Sequence, residues 1–164
     1  MHADNLIGRK LRSGELRKKL SESDWKVPAG YSLSVIEQKN YSMELLEPDV
    51  QNSRMVILQL HGGGYVGKLC NIYRSFSGFY SELGHGISVL TPDYRVAPEN
   101  PYPAALEDAA AAYEWLLLNG WTEDRIVVAG DSAGGGLALA LCMYLKDRKQ
   151  KLPAGVIAMS PGRI

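Results

Sequence analysis

The sequence has no surplus of either charge. Across its 164 residues, 18 lysines and arginines balance 18 aspartates and glutamates, so the formal net charge is zero. A chain without a basic or acidic excess lacks the long-range attraction that draws proteins to nucleic acid or to anionic membranes. We therefore expect neither of these as a partner, and a small neutral molecule fits better.

Long apolar runs and cysteines are also scarce. The longest apolar run, residues 137–145, is far shorter than the ~20 residues that span a bilayer. The first twenty residues interleave six lysines and arginines with single apolar residues, which is not the pattern of a secretory signal. Cys70 and Cys142 have no partner at metal-ligand spacing. We expect both to be buried thiols within helices of a cytoplasmic protein.

The spacing of apolar residues predicts an α/β fold. Two short strands, Tyr31 to Val35 and Tyr41 to Leu46, are expected to form an antiparallel pair. A nearly continuous apolar strand followed by a helix then occurs three times, which predicts a mostly parallel sheet with helices on both faces. The predicted elements are strands 55–60, 87–90, 126–129 and 155–159 and helices ending near 83 and spanning 104–118 and 133–146. The middle helix is expected to have one apolar face, made of Leu106, Ala110, Tyr113 and Leu117.

One motif lies between a predicted strand and a predicted helix. Gly130-Asp131-Ser132-Ala133-Gly134 matches the G-x-S-x-G nucleophile elbow. The turn in such an elbow is so tight that glycine is needed two residues before and two residues after the serine. Ser132 is therefore predicted to stand exposed above the sheet as a nucleophile. The N-terminus of the following helix would place the Ala133 N–H where an oxyanion forms.

A second motif directly follows the strand that ends at Leu60. His61-Gly62-Gly63-Gly64 occupies the position of the oxyanion loop of lipases and esterases. Three consecutive glycines leave the backbone N–H groups uncovered by side chains. A histidine followed by three glycines is expected by chance in roughly one chain in a thousand of this length.

Further motifs follow in a recognisable order, namely Asp93-Tyr94-Arg95-Val96-Ala97-Pro98-Glu99, Pro103-Ala104-Ala105 and Asp108. Together the motifs resemble the hormone-sensitive-lipase family of α/β-hydrolases across Val56 to Pro161. The resemblance implies the α/β-hydrolase fold and hydrolysis of small carboxylic esters through an acyl-enzyme on Ser132, with no metal or organic cofactor. It also implies that Gly63, Gly64 and Ala133 donate their N–H groups to the oxyanion.

The sequence departs from the family after the serine. A triad in this fold continues with an acid and then a histidine, but no histidine follows Ser132. The one later acidic residue, Asp147, would lie roughly 20 Å away along the helix. We therefore expect a catalytically incomplete α/β-hydrolase, truncated after about the sixth strand and prone to aggregate at that strand. Residues 1–30 would form a helical cap segment and residues 31–164 a partial core domain.

Other candidate residues receive structural roles. His61 is expected to hold the oxyanion loop by hydrogen bonds, and His85 to lie at the opposite end of the sheet. Asp131 is expected to stabilise the elbow. Tyr65 either lines the acyl pocket, as a substrate-binding residue, or packs in the core. Structural ion pairs are expected for Asp93, Arg95 and Glu99.

Two other functions are open. Gly62-x-Gly64-x-x-Gly67 follows a strand, and Asp93 ends the next one, so the pattern also matches the dinucleotide-binding fingerprint of an oxidoreductase. That reading leaves the elbow motif unexplained. The other possibility is a ligand-binding protein built on the esterase fold without the catalytic histidine, for which half of the pocket walls would be missing.

Overall fold

The computed structural model describes residues 25–162. The predicted helical cap segment, residues 1–30, lies outside this part except for residues 25–30, which contain no helix or strand. Every helix within residues 25–162 is too short or too polar to span a bilayer.

The described chain forms one six-stranded sheet with the strand order β1-β2-β4-β3-β5-β6. The strands are β1 Tyr31–Glu37, β2 Ser42–Pro48, β3 Val56–Leu60, β4 Ser88–Pro92, β5 Ile126–Asp131 and β6 Gly155–Met159. The helices are α1 Asn71–Leu83, α2 Ala104–Leu118 and α3 Ala133–Asp147. The first two strands pair antiparallel, as does β2 with β4, and all later pairs are parallel. The predicted succession of elements is confirmed.

Side chains alternate across the sheet and so fill two separate layers. Along a strand, neighbouring residues point to opposite faces. Val56, Leu58 and Leu60 of β3 belong to the main core, which they share with α2 and α3. Ile57 belongs to a smaller cluster on the other face, where Tyr80 of α1 packs. The predicted covering of both faces by helices is therefore confirmed.

The buried face of α2 differs from the predicted one. Of the expected residues, Leu106, Ala110 and Leu117 are only half-buried. The buried residues are instead Ala104, Asp108, Ala109, Ala112, Tyr113 and Leu116. Asp108 explains the rotation, because its carboxylate accepts the Arg95 N–H at 2.8 Å and must face inward to do so. The alanines beside it let the helix approach the core closely.

Both cysteine predictions need correction. Cys70 is buried, but it lies immediately before α1 rather than within it. Cys142 lies within α3 but is only half-buried. Its exposure follows from the orientation of α3, whose neighbouring residues Leu139 and Met143 are 45% and 67% exposed.

The last strand forms an outer edge of the described sheet. Its described hydrogen-bonded neighbour is β5. Val156, Ile157 and Met159 are 38%, 46% and 40% exposed, although the strand is apolar throughout. An uncovered apolar edge strand can pair with other chains. Aggregation of this chain therefore stays a prediction with a structural basis.

Truncating a core side chain of β3 tests the architecture. Leu58 has no exposed surface, whereas Leu118 at the end of α2 is 79% exposed. We expect Leu58→Ala to lower the free energy of unfolding by about 2–5 kcal/mol, because it leaves a cavity in the central strand. The matched control Leu118→Ala should change it by less than ~0.5 kcal/mol. Urea unfolding followed by circular dichroism measures both, and equal effects would contradict the assigned core.

Candidate active site

Ser132 forms the sharp turn between β5 and α3. Its backbone has φ 50° and ψ −118°, a conformation that is costly for a residue with a side chain. Neighbouring backbone groups hold it there, since the Ser132 N–H donates to the Met159 carbonyl at 2.9 Å and the Gly162 N–H donates to the Ser132 carbonyl at 2.7 Å. The side chain is exposed and makes no capping hydrogen bond to α3. The predicted elbow is therefore present.

Close backbone packing requires glycine at two positions of the elbow. A Cβ atom on Gly134 would collide with the Leu60 carbonyl oxygen and would lie 2.7 Å from the His61 carbonyl oxygen. A Cβ atom on Gly130 would collide with the Gly134 carbonyl. The backbone of the elbow thus rests directly on the end of β3, and no side chain fits between them.

The glycine loop after β3 lies beside the elbow. Leu60 is in register with Gly130 on the neighbouring strand, so both turns leave the same end of the sheet. Gly63 and Gly64 are exposed, and their φ angles of 121° and 63° are accessible mainly to glycine. Within the described residues, neither N–H group donates to another backbone group. The N–H of Ala133, in the first turn of α3, points from the same end of the sheet.

A hydrogen bond from α1 supports the elbow from the side. The Tyr73 hydroxyl donates to the Asp131 carboxylate at 3.1 Å. A Cβ atom on Gly62 would lie 2.5 Å from that hydroxyl and 2.8 Å from Asp131 Oδ2, so these two groups confine the start of the glycine loop. Asp131 therefore supports the elbow, as predicted. No motif or periodicity pointed to Tyr73, which lies 58 residues before its partner.

His61 is a buried structural residue. Its ring has no exposed surface and stacks on the Tyr94 ring, with centroids 4.1 Å apart and planes inclined by 4°. The Tyr94 hydroxyl donates to the His61 carbonyl, and His61 Nδ1 lies 2.8 Å from the Gly62 carbonyl. Burial lowers the pKa of His61, and the Gly62 carbonyl and nearby carboxylates only partly oppose this effect. The expected role in holding the loop fits this geometry.

Among the described residues, Arg95 forms the predicted ion pairs. Its guanidinium lies 2.8 Å from Asp108 and 3.1 Å from Glu107, and the hydrogen bond to Asp108 raises the pKa of Arg95. Asp93 instead accepts the Leu69 N–H at 2.8 Å. Its carboxylate therefore fixes the loop before α1 through the backbone. The role of Glu99 stays a prediction.

Tyr65 was expected either to pack in the core or to line a pocket, and it does part of each. Its ring packs against the main core and lines a cavity of about 170 Å³, together with residues such as Leu106, Leu137 and Ala140. Its hydroxyl is buried without a hydrogen-bond partner in the described structure, and burial raises its pKa. A Cβ atom on Gly136 would lie 3.0 Å from that hydroxyl, so Tyr65 reaches the first turn of α3. Its role in substrate binding stays a prediction.

The described residues bring no triad acid or base to Ser132. His85 follows α1 and precedes β4, so it lies at the opposite end of the parallel strands. Asp147 ends α3, about 20 Å along the helix from its start. His2 lies outside the described residues. Among residues 25–162, no group of three or more His, Cys, Asp or Glu side chains could hold a metal ion.

The geometry does not fit a dinucleotide site. In that fingerprint the glycines lead straight into a helix whose N-terminus receives the pyrophosphate. Here α1 begins only at Asn71, several residues after Gly67. The Asp93 carboxylate, which would have to bind a ribose, is engaged by the Leu69 N–H.

Comparison with known proteins points to one fold. A family profile described as alpha/beta hydrolase fold matches residues 57–164. An acetyl-hydrolase of Streptomyces hygroscopicus is 40% identical over 135 residues, covering 82% of this chain and 44% of the relative. The hormone-sensitive lipase of Bos taurus is 34% identical over 163 residues, covering 95% of this chain and 20% of the relative. The crystal structure of EstE5 soaked with p-nitrophenyl butyrate has a TM-score of 0.82 and 34% identity, covering 94% of this chain and 56% of that chain.

These matches confirm the resemblance to the hormone-sensitive-lipase family and the predicted fold. The two curated relatives are, by their names, an acetyl-hydrolase and a lipase. The chain spans less than half the length of either.

The steric requirement at Gly134 can be tested by adding one methyl group. We expect Gly134→Ala to lower the free energy of unfolding by about 3 kcal/mol or more, because the new Cβ forces the elbow away from β3. Gly155→Ala is the matched control, since nothing lies within 4 Å of the Cβ position there. Urea unfolding compares the two, and a neutral Gly134→Ala would show that the elbow is not packed as described.

The burial of His61 predicts a stability change with pH. Because its pKa is lowered by folding, the unfolded chain takes up the proton more readily. The contribution of His61 to the free energy of unfolding is therefore fully present above the pKa of a histidine in the unfolded chain, about 6.5. It falls as the pH drops toward the lower pKa of the folded state, by up to ~1.4 kcal/mol per pH unit. We expect this fall between pH 7 and 5.5 in urea unfolding of the unmodified chain and of His85→Gln. It should be largely absent in His61→Gln, and an unchanged slope there would exclude His61 as its source.

Proposed function

This chain belongs to the α/β-hydrolase fold family, and we propose that it carries the nucleophile and the oxyanion hole of a serine hydrolase of carboxylic esters. The observation behind the proposal is the elbow, where exposed Ser132 is held at φ 50° at the same end of the sheet as Gly63 and Gly64, whose N–H groups donate to no backbone carbonyl among the described residues. Neither feature is needed for a stable sheet. Both match the requirements of acyl transfer.

The proposed reaction begins with attack by Ser132 Oγ on the ester carbonyl carbon. A general base that this chain does not supply takes the hydroxyl proton and then gives it to the departing alcohol. The carbonyl oxygen becomes an oxyanion that accepts hydrogen bonds from the N–H groups of Gly63, Gly64 and Ala133. Collapse of the tetrahedral intermediate releases the alcohol, and water then hydrolyses the acyl-enzyme. Removing a single oxyanion donor has cost ~2.7–4 kcal/mol of barrier in another serine hydrolase, so the loop after β3 is central to this proposal. No metal or organic cofactor takes part.

We propose that the chain alone is catalytically incomplete. In this fold the general base is a histidine that follows the nucleophile in sequence, and no histidine follows Ser132. His61 is buried in the loop and His85 lies at the far end of the sheet. Without a base, only the residual catalysis of binding and the oxyanion hole would remain.

The proposed substrate is a small neutral carboxylic ester. The matched proteins include an acetyl-hydrolase and EstE5, whose crystal was soaked with p-nitrophenyl butyrate. The position of Tyr65, between the glycine loop and the apolar cavity, supports a role in lining the acyl pocket. The free thiols of Cys70 and Cys142 support a reducing compartment, and we propose the cytoplasm.

A second candidate is non-catalytic ligand binding. The observation that favours it is the apolar cavity lined by Tyr65, Leu106 and Leu137, because a pocket can bind an ester without turning it over. Ester binding and ester turnover are therefore measured separately in the experiment that follows.

A chimera supplies the catalytic groups that this chain lacks. The chain is joined after Pro161 to the part of the Streptomyces hygroscopicus acetyl-hydrolase that follows its matched region. We expect the chimera to hydrolyse p-nitrophenyl butyrate, and Ser132→Ala to reduce the rate by at least ~10³-fold, since losing a triad nucleophile has cost up to ~10⁶-fold elsewhere. Ser34→Ala, which alters an exposed serine of β1, is the matched control and should leave the rate unchanged.

The unfused chain is assayed in parallel. It should turn over the ester at little above the uncatalysed rate, and robust turnover abolished by Ser132→Ala would refute its proposed incompleteness. A folded chimera that binds the ester without hydrolysing it would favour the ligand-binding function instead.

A further inference from the structure

The side chain of Tyr65 carries a polar group whose hydrogen-bonding capacity is unused. Its hydroxyl is buried, and no hydrogen-bond partner for it occurs within residues 25–162. Burial raises the pKa of this phenol, so the hydroxyl keeps its proton at neutral pH and can donate it. A buried polar group without a partner is costly for a folded protein. The hydroxyl of Tyr65 therefore favours a bound molecule that accepts a hydrogen bond.

This hydroxyl reaches a wall of the cavity that Tyr65 lines. A Cβ atom on Gly136 would lie 3.0 Å from the hydroxyl. Ala140, four residues later on the same face of α3, lines the cavity, and Leu137 adds a buried apolar side chain to that wall. Tyr102 also lines the cavity and is 74% exposed, so the cavity opens to solvent on its side. A small molecule can therefore enter and meet the hydroxyl.

The size and charge of the cavity limit what it can bind. Its volume is about 170 Å³, and an apolar cavity of ~150 Å³ in another protein binds benzene. Among the described residues that line it, Arg95 is the one with a charge, and its guanidinium is paired with Asp108 at 2.8 Å and with Glu107 at 3.1 Å. An ionic ligand would find no unpaired opposite charge there. A neutral ligand slightly larger than benzene fits both limits.

We propose that this cavity binds a small neutral carbonyl compound, whose oxygen accepts a hydrogen bond from the Tyr65 hydroxyl. A carbonyl oxygen has no proton of its own, so it satisfies the hydroxyl and brings no donor that the apolar walls would leave unbonded. An apolar pocket with one directed polar group is a common form of ligand site. Ser132 is not among the described residues that line the cavity. The proposal goes beyond ester hydrolysis, because the site needs neither a triad nor an ester bond.

Two ligands of nearly the same shape isolate the hydrogen bond. Cyclohexanone carries a carbonyl oxygen, and methylenecyclohexane has a CH₂ group in its place. We expect the full chain to bind both, and Tyr65→Phe to weaken cyclohexanone at least ~5-fold and methylenecyclohexane less than ~2-fold, because only the ketone loses a hydrogen bond. Tyr31→Phe, in β1 and outside the cavity, is the matched control and should alter neither affinity. Amide chemical shifts in NMR titrations give the dissociation constants.

A second variant fills the cavity and leaves Tyr65 intact. Ala140→Leu should weaken both ligands at least ~10-fold, because the larger side chain occupies the space that they need. Ala111→Leu, at an exposed position of α2, is its matched control and should change neither affinity.

Three results would overturn the proposal. They are a full chain that does not bind cyclohexanone, a cyclohexanone affinity that Tyr65→Phe leaves unchanged, and binding of both ligands that Ala140→Leu does not weaken. Ester hydrolysis by the chimera is measured without either ligand, so the failure of this proposal and the failure of the proposed esterase function are distinguishable.

Discussion

The whole site depends on one contact between backbones, where the first turn of α3 crosses the end of β3. At Gly134 the helix backbone touches the carbonyls of Leu60 and His61 without any intervening side chain. Contacts of this kind cannot relax by rotating a side chain, so they fix the distance between the two turns. The position of Ser132 relative to the glycine loop is consequently set by the sheet register of β3 and β5.

Two further interactions keep that contact in place. The stacking of His61 on Tyr94 holds the glycine loop from below, while the Tyr73–Asp131 hydrogen bond holds the elbow from the side. Burial raises the pKa of the Tyr73 phenol, and the Asp131 carboxylate raises it further, so the phenol remains a donor at neutral pH. The strained φ of Ser132 can thus persist because several neighbours determine it together.

The sequence was informative wherever a structural requirement is local. The alternation of apolar residues predicted the strands and helices, and the glycines at 130 and 134 predicted the elbow, because each rests on the spacing of near neighbours. It failed for contacts between distant residues. The buried face of α2 is decided by Arg95, 13 residues before Asp108. Tyr73 meets Asp131 across 58 residues and Tyr94 meets His61 across 33, which no periodicity can reveal.

The polar inner face of α1 also bears on local opening of the molecule. Elements held by few buried apolar contacts open more often than those anchored in a core. The buried residues of α1 are Ser77 and Ser81, and Tyr80 adds a partly buried apolar contact. The opposite layer, with α2 and α3, contains the main core. Each detachment of α1 also withdraws the Tyr73 hydroxyl from Asp131. The geometry of the nucleophile is therefore coupled to the packing of α1, and factors that keep α1 closed will also keep Ser132 in position.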